Sequence, residues 1–481
     1  VEHPLSNYWP HFTFSAVVYV AILVTVIPLV LLTKKEPTSA VAWCLAVLLM
    51  PLVGALLFWF FGYNRVHRQV RRKRAHLAQY RESHPPRRRE ADRETASDPA
   101  APEIAQQALR AHAYPASAGN AVVLYHDTSD AYHALFDAVR EAMHHVHLEF
   151  FSIHGDESGT RLLDLLAEKA RAGVQVRLLL DAVGSLYLRR RAVRNLLEAG
   201  GKKAIFFPLN RLRSLVQVNM RNHRKIVVVD GRIGFTGGMN IGDSYLGKDP
   251  YFGYWRDTFL RIDGPAVAGL QRTFAEDWDF TTEEALTGAA YFPDLPPAGD
   301  AVVQVATGGP DQSVNCIREI YFMGMVSARQ RLWIASPYFV PDQGLLDALR
   351  LACYRGADVR LLTIHRPDHY LAFYAGRYYF TELLEMGIRV YLYRKGMMHS
   401  KFMLVDGSWG LVGSANLDIR SLRLDFEAGV ILHSAAQVSE MEAAFERDLA
   451  DSELLDAKSF ASRSMSIRLL ENACRLLAPA L

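Results

Sequence analysis

Hydrophobic and polar positions divide the chain into three zones. Residues 12–32 are almost uninterruptedly apolar, about 21 positions that at 1.5 Å each reach across a hydrocarbon core of roughly 30 Å. A second run, 39–61, is similar, and Lys34-Lys35-Glu36-Pro37-Thr38 between them leaves room only for a tight polar turn. A cleaved signal peptide or a buried soluble hairpin would share part of this pattern. The second run argues against simple cleavage, and neither run is amphipathic. Residues 1–64 are expected to form a transmembrane hairpin with spans at about 12–32 and 39–61.

Polarity then reverses. Residues 65–89 carry ten Lys or Arg and a single acid, Glu82. By the positive-inside rule this flank, both termini and all that follows belong on the cytoplasmic side, although Lys34 and Lys35 in the turn oppose that slightly. The same charges could hold anionic headgroups, at about 1 kcal/mol per basic residue near the surface. Pro, Ala, Ser and mixed charge come next, so 65–120 reads as a basic and Pro/Ala-rich linker with one short helix near 104–112.

From residue 121 the period alternates between strand and helix. The pattern predicts a strand at 122–125, a helix at 130–142, a strand at 147–153, a helix at 159–172 and a strand at 174–180. It repeats as helix 316–328, strand 331–336, helix 344–354, strand 359–363, helix 370–385 and strand 389–393. Residues 169–179 have a clear counterpart in 352–362, so 121–295 and 296–481 are two related halves. The expected class is α/β, each half a mixed sheet flanked by helices. The tail closes on an amphipathic pattern in which Ile467, Leu469, Leu470, Leu476 and Leu477 run beside Arg463, Arg468 and Arg475. It suits either a bilayer surface or docking on the second half.

The repeat carries chemistry. Asn222-His223-Arg224-Lys225-Ile226-Val227-Val228-Val229-Asp230 with Gly237-Gly238-Met239-Asn240 returns as His399-Ser400-Lys401-Phe402-Met403-Leu404-Val405-Asp406 with Gly413-Ser414-Ala415-Asn416. In a strand, His223 and Lys225 share a face, as do His399 and Lys401. Asp230-Gly231 and Asp406-Gly407 are hairpin-turn pairs that bring Asn240 and Asn416 back towards the His and Lys. Facing each other, two such sets would ring a phosphate with two imidazoles, two ammonium groups and two amides. One copy alone reads more simply as a core strand with a satisfied histidine; duplication removes that reading.

These motifs are identified as the duplicated HKD motif of the phospholipase D superfamily. The whole chain resembles the bacterial cardiolipin synthases of that superfamily through Lys35-Glu36-Pro37-Thr38-Ser39-Ala40-Val41-Ala42-Trp43, Pro51 and Gly54. Ser336-Pro337-Tyr338-Phe339-Val340-Pro341 and Leu417-Asp418-Ile419-Arg420-Ser421 extend the likeness. The resemblance implies two pseudo-symmetric phospholipase D-like halves. It also implies condensation of two phosphatidylglycerols to cardiolipin and glycerol, with His223 as nucleophile and His399 as general acid and then base. Residue types alone do not order the two histidines. Lys225, Lys401, Asn240 and Asn416 would hold the phosphate. The catalytic set is His223, Lys225, Asp230, His399, Lys401 and Asp406, the two aspartates being better placed to shape the turn than to touch substrate.

Asp257 and Glu427 open equivalent strands where the superfamily places a buried acid, and each is expected to orient the histidine of its own half. Asp425 and Phe259 depart from the family's usual Asn and His. Tyr338, Phe339, Tyr374, Tyr378 and Tyr379 are candidates for lining an acyl or glycerol path. The alternatives are a hydrolase, or a transphosphatidylase with another donor such as phosphatidylethanolamine, and less readily a membrane-associated nuclease.

Composition changes little. The 481 residues carry a net charge of +3, and Cys44, Cys316, Cys353 and Cys474 lie too far apart for zinc or a disulfide framework, as expected of free thiols in a reducing compartment. No Walker loop, His-Glu-x-x-His or carboxylate cluster calls for a metal, and no cofactor is expected. The expected partners are anionic phospholipids (phosphatidylglycerol, cardiolipin) and the bilayer, not nucleic acid, with a homo-oligomer left open. The expected location is the bacterial inner membrane, multi-pass, catalytic halves cytoplasmic.

Overall fold

The computed structural model describes residues 9–34, 36–62, 66–84, 102–186, 188, 191–208 and 220–477. They fall into two units, residues 1–72 with 211–217, and residues 73–210 with 218–481.

In the first unit, helix Trp9–Thr33 contains an apolar window, Ala16–Thr33, of mean hydropathy 2.7, long enough to cross a bilayer. The second expected span is not one helix. Pro37–Leu49 stops at Met50 (φ −138°, ψ 75°), Pro51–Leu57 follows, and a π-helical turn, Phe58–Gly62, completes the run. Pro51 is the cause: its ring disfavours helical backbone at the preceding residue and it offers no N–H to the turn before. Among the described residues only one helix therefore meets the length and apolarity of a span. The pieces still fold back as a hairpin, with Tyr19 Oη donating to the Leu48 carbonyl (3.0 Å) and Val30, Ala40 and Phe58 buried together. Gly54 permits the bend, since a Cβ there would lie 2.3 Å from the Ala46 carbonyl oxygen.

The second unit is built on strands β1 (Ser117–Asp127), β2 (His145–Phe150), β3 (Gln175–Asp181), β4 (Lys202–Phe206), β5 (Ile226–Val229), β6 (Ile233–Gly237) and β7 (Tyr254–Asp263). Then come β8 (Ala301–Gly308), β9 (Arg331–Ala335), β10 (Phe339–Val340), β11 (Asp358–Ile364), β12 (Arg389–Tyr393), β13 (Gly396–Met398), β14 (Phe402–Val405), β15 (Trp409–Gly413), β16 (Leu417–Asp418), β17 (Glu427–Leu432) and β18 (Ser452–Leu454). Sixteen of them form one sheet in the order β18-β12-β11-β9-β14-β15-β17-β8-β1-β7-β6-β5-β2-β3-β4, with β13 joined to β7.

The order is palindromic about the antiparallel β1–β8 pair, where Ser117 faces Val303 and Asn120 faces Ala301. Outward from it, β7-β6-β5-β2-β3-β4 answers β17-β15-β14-β9-β11-β12, the duplication expressed as topology. Strands β2, β5, β14 and β17 are buried along their whole length; β5 and β14 accordingly read as unbroken apolar runs, whereas β2 buries His145, His147 and Glu149, and β17 buries Glu427. Helices cover the sheet where the period predicts. Thr128–Glu141 is capped by the Asp127 side chain and buries Leu135, Phe136 and Val139, and Glu157–Arg171 is capped by Asp156 and buries Leu162, Leu163 and Leu166.

The stretch expected as a linker holds structure. Helix Val66–Ser83 follows the apolar unit, Glu103–Arg110 is a second helix, and residues 85–101 lie outside the described residues. From Lys73 onward the first of these helices belongs to the second unit and is held there by ion pairs. Lys73 Nζ reaches Asp277 (2.8 Å) and Asp311 (2.9 Å), all three side chains being buried, and Arg81 reaches Glu276 (2.7 Å). The sequence hid this because a basic run beside an apolar one reads as a topology signal, and the acids that receive it lie about 200 residues away.

Candidate active site

Each histidine of the repeat sits just before a buried strand, His223 before β5 and His399 before β14. The lead-in to each strand pairs with the opposite half. β13, ending one residue before His399, runs parallel to the start of β7, and His399 N donates to the Arg256 carbonyl (2.7 Å). In the same way Asn222 bridges Phe426, and His223 N donates to the Phe426 carbonyl (2.9 Å).

This crossing decides which acid meets which ring. His223 Nδ1 donates to Glu427 (3.0 and 3.1 Å), and His399 Nδ1 donates to Asp257 (2.7 Å). The expectation that each acid serves its own half is therefore corrected. β7 and β17 present their opening carboxylates to the neighbour's histidine, because the residue just before each carboxylate, Arg256 or Phe426, is held by the other half's backbone. With Nδ1–H fixed on a carboxylate, Nε2 of each ring is the free nitrogen.

The surroundings of the two carboxylates differ. Ser414 Oγ donates to Glu427, whereas at the matching Gly238 a Cβ would lie 2.2 Å from Asp257 Oδ1, so only glycine fits there. Asp257 instead accepts from Thr258 N (2.8 Å).

Lys225 and Lys401 are fully buried, and each Nζ donates to the carbonyl of the histidine two residues before it, at 2.7 Å for Lys225. Burial lowers the Lys225 ammonium to about 7 and the Lys401 ammonium to about 8, against the opposing pull of Glu427 and Asp257. His223 is pushed down to about 4, first by burial, with Glu427 resisting and both lysines adding to the fall. His399 is lowered by burial and by Lys401, with Asp257 opposing. Each histidine feels the lysine of the other half, so the four groups share one electrostatic site. Glu427 and Asp257 stay below the usual carboxylate range: burial alone would raise them, but the histidines and lysines outweigh it.

The two asparagines are not equivalent. Asn240 is held on both sides, accepting from Ser152 N (3.3 Å) and donating to Tyr245 Oη (3.0 Å), and the Tyr245 ring lies 6.4 Å from that of His399. Asn416 keeps a buried Oδ1 without a hydrogen-bond partner.

Asp230 and Asp406 are not brought to the imidazoles. They lie at the far ends of β5 and β14, seven residues past each histidine or at most about 23 Å of extended chain at 3.3 Å per residue, and adopt positive φ (54° and 52°) together with Gly231 and Gly407 (64° and 66°), the pattern of a tight hairpin turn. Asp230 accepts from Met143 N, His144 N and His145 N, and Asp406 from Arg329 N, Gln330 N and Arg331 N. Each ties a hairpin to the start of the neighbouring strand.

Sequence reasoning missed the layer behind His223. Asn222 donates to Glu149 Oε1 (2.6 Å) and its N–H to Asp181 Oδ2 (2.9 Å), while Arg224 pairs with Asp277, the acid that also receives Lys73. Phe426, adjacent to Glu427, lies under the Lys73 ammonium at 4.8 Å. In the other half the arginine comes from Arg256, which binds Asp448 (2.9 Å) and touches Ser400 (3.1 Å). The only hint in the sequence was that Asp277 and Asp448 occupy matching places. Asp425 accepts from Arg221 N and from Arg420 (both 3.0 Å), and burial beside Glu427 and Asp418 pushes it up to about 8 against Arg420. Phe259 is a buried core ring stacked on Phe235. Tyr338 reaches Asp368, and Tyr379 and Phe339 are core side chains, while Tyr374 and Tyr378 are partly buried at its edge.

A family model described as cardiolipin synthase, PLD-like domain, matches residues 135–278 and 323–449, and one described as phospholipase D-nuclease N-terminal matches 17–62. A cardiolipin synthase of Geobacillus sp. (strain WCH70) is 39% identical, over 97% of this chain and 92% of that protein. One of Halalkalibacterium halodurans is 36% identical over 99% and 96%. Among solved structures, the phosphatidylserine synthase of Haemophilus influenzae Rd KW20 shares the fold, with TM-score 0.58 and 16% identity, covering 75% of this chain and 95% of that one.

Proposed function

Since the chain belongs to the cardiolipin synthase family of phospholipase D-like proteins, we propose that it is a membrane-bound phosphatidyltransferase condensing two phosphatidylglycerols to cardiolipin and glycerol. The observation that supports the chemistry best is the crossed pair of histidine–carboxylate bonds flanked by two buried lysines.

His223, lowered to about 4, is neutral at physiological pH, as a nucleophile must be. Its Nε2 attacks phosphorus, the bond from phosphorus to the glycerol headgroup oxygen breaks, and His399 gives that oxygen its proton. The phosphatidyl group is then on His223. A terminal hydroxyl of a second phosphatidylglycerol loses its proton to His399 and attacks the same phosphorus, releasing cardiolipin and restoring both rings. Burial and Lys401 depress His399 as well; an anionic phosphodiester between Lys225 and Lys401 is the group that would restore its proton and hold both lysines charged. Asn416, with its unpartnered Oδ1, would orient headgroup or acceptor hydroxyls, and Asn240 would act through Tyr245.

The apolar unit anchors the chain in the bacterial inner membrane. The basic flank at 65–89 supports a cytoplasmic catalytic unit, and two crossings would require the broken Pro37–Gly62 segment to pass the bilayer together with Trp9–Thr33. The test is incubation with phosphatidylglycerol in detergent and resolution of the lipid products. Cardiolipin should form, and both His223→Ala and His399→Ala should abolish it. Phosphatidic acid as the sole product would identify a hydrolase instead.

A further inference from the structure

The last helix of the catalytic unit, Met465–Leu476, has one face fastened and the other bare. Glu471, buried, accepts from Arg377 (3.1 Å) and Arg463 (2.7 Å), and the Arg475 guanidinium lies over the Tyr378 ring at 4.2 Å. These bonds hold the helix along Tyr370–Glu385. At 100° per residue the opposite arc, roughly 140° wide, carries Met465, Leu476, Leu469, Ala473, Ser466, Leu477 and Leu470, with Ser466 its one polar side chain. Met465, Leu469 and Leu476 are 66%, 63% and 73% exposed. Exposed apolar side chains scattered singly need no explanation; a continuous stripe on a helix does.

The rim and the setting of this stripe indicate what covers it. Arg468 lies beside one edge, next to Asn472, and the helix's sole acid is buried between two arginines, so the face offers no carboxylate to match that cation in a second copy. An apolar face edged by arginine suits an anionic leaflet, with the helix lying in the plane of the headgroups. The supporting helix Tyr370–Glu385 starts beside the site: Asp368, two residues before it, accepts from Tyr338 and raises the Lys401 ammonium. We infer that helix Met465–Leu476 is a bilayer-docking surface, through which the catalytic unit rests on an anionic membrane and holds the mouth of the site at headgroup level. This rests on the phosphatidyltransferase reading for the nature of the substrate, but the contact itself is measurable without activity.

The full chain, with its four cysteines replaced by alanine, is labelled with an environment-sensitive fluorophore at Met465→Cys or Leu469→Cys. It is reconstituted into vesicles of phosphatidylcholine containing 30% phosphatidylglycerol and a lipid spin-labelled near the carbonyl. Val24→Cys, in the apolar N-terminal helix, is the positive control. Quenching of at least two-fold at 465 and 469 supports the inference; quenching at 24 alone overturns it and leaves the anchor standing. No quenching at 24 would overturn the anchor and this inference together. Quenching at 469 by a spin label on a second copy, in place of the lipid label, would overturn it in favour of a dimer contact. The double variant Leu469→Glu/Leu476→Glu should raise KM for vesicle phosphatidylglycerol at least five-fold while leaving turnover of a short-chain analogue in detergent unchanged. Equal loss on both substrates would overturn the docking role.

Discussion

His223 Nδ1 lies 3.0 Å from a carboxylate oxygen of Glu427, a residue 204 positions later in the other half of the sheet. Asp257 does the same for His399 in return. Under the proposed roles, the acid that would align the nucleophile belongs to the half that would supply the general acid, and neither histidine finds its carboxylate within its own repeat.

Crossed pairing separates two variants that own-half pairing would interchange. Glu427→Gln should slow formation of the phosphatidyl-histidine by about 10²-fold or more, as when a histidine loses its orienting acid. Asp257→Asn should slow departure of the glycerol. A phosphodiester with a p-nitrophenolate leaving group, which needs no proton, should restore the first-turnover burst of Asp257→Asn and not that of Glu427→Gln. The inverse pattern would refute the crossing as a functional relationship.

The pH profile follows from the buried lysines. His223 must be neutral, so kcat/KM falls as pH drops through about 4; His399 must be protonated and Lys225 and Lys401 charged, so it falls again as pH rises, first through the lowered His399 value and then through about 7 to 8 as the lysines discharge. A bound phosphodiester favours the ammonium forms, so the alkaline limb of kcat should lie above that of kcat/KM. Lys225→Arg, which cannot deprotonate in this range, should remove the part of the alkaline fall near 7 and make it shallower, leaving the parts set by His399 and Lys401, whatever it does to the maximal rate.

Asp230→Ala and Asp406→Ala should act on stability. Each leaves three backbone N–H groups short of their acceptor; because these groups are exposed or half-buried, water takes up part of the loss, and the cost should be about 1 kcal/mol, the net value of an ordinary hydrogen bond, read as a lower unfolding midpoint. Activity per folded molecule should stay within about ten-fold of the parent, since neither carboxylate touches the imidazoles. A loss comparable to that of His223→Ala with an unchanged midpoint would give these residues a chemical role.

Lys73→Met should destabilise the catalytic unit by about 3–5 kcal/mol, because it leaves Asp277 and Asp311 buried beside each other without their shared cation. Burial works to lower the Lys73 ammonium, yet the two aspartates raise it overall, so the pair is charged through neutral pH. Adding Asp311→Asn should recover part of the loss. Additive destabilisation in the double variant would show that the charges are not coupled.

Asp425 gives stability an unusual pH dependence. A carboxyl whose folded pKa is raised binds its proton more tightly in the native state, so its contribution declines as pH climbs from the unfolded value near 4 through about 8. Asp425→Asn removes that titration while keeping an acceptor for Arg221 N. Urea midpoints at pH 6 and pH 9 should differ less in the variant than in the parent; an equal difference would place the titration elsewhere.

Much of this site was legible in the chain, and the illegible parts share a cause. His223, Lys225, His399 and Lys401 announce themselves because a two-residue period, a turn dipeptide and a duplicated spacing are local facts. Which carboxylate meets which imidazole depends on β13 pairing with β7 and Asn222 with Phe426, contacts between segments more than 140 residues apart that no local pattern encodes. Lys73 was hidden for a different reason: its partners Asp277 and Asp311 read as ordinary helix and loop acids until the fold buries all three. In the apolar unit one proline, Pro51, broke a run that hydropathy alone reads as continuous.

The join between β1 and β8 makes the two lobes one hydrogen-bonded surface, and this limits how the enzyme can breathe. Hinge closure, by which many two-lobed enzymes shut water away from a reactive intermediate, would have to tear that seam and both crossed histidine contacts. Under the proposed mechanism, lipids would have to come and go without a hinge motion, and the phosphohistidine would be shielded from water by the glycerolipid bound to it. Water exclusion here is the task of the occupant rather than of a moving domain.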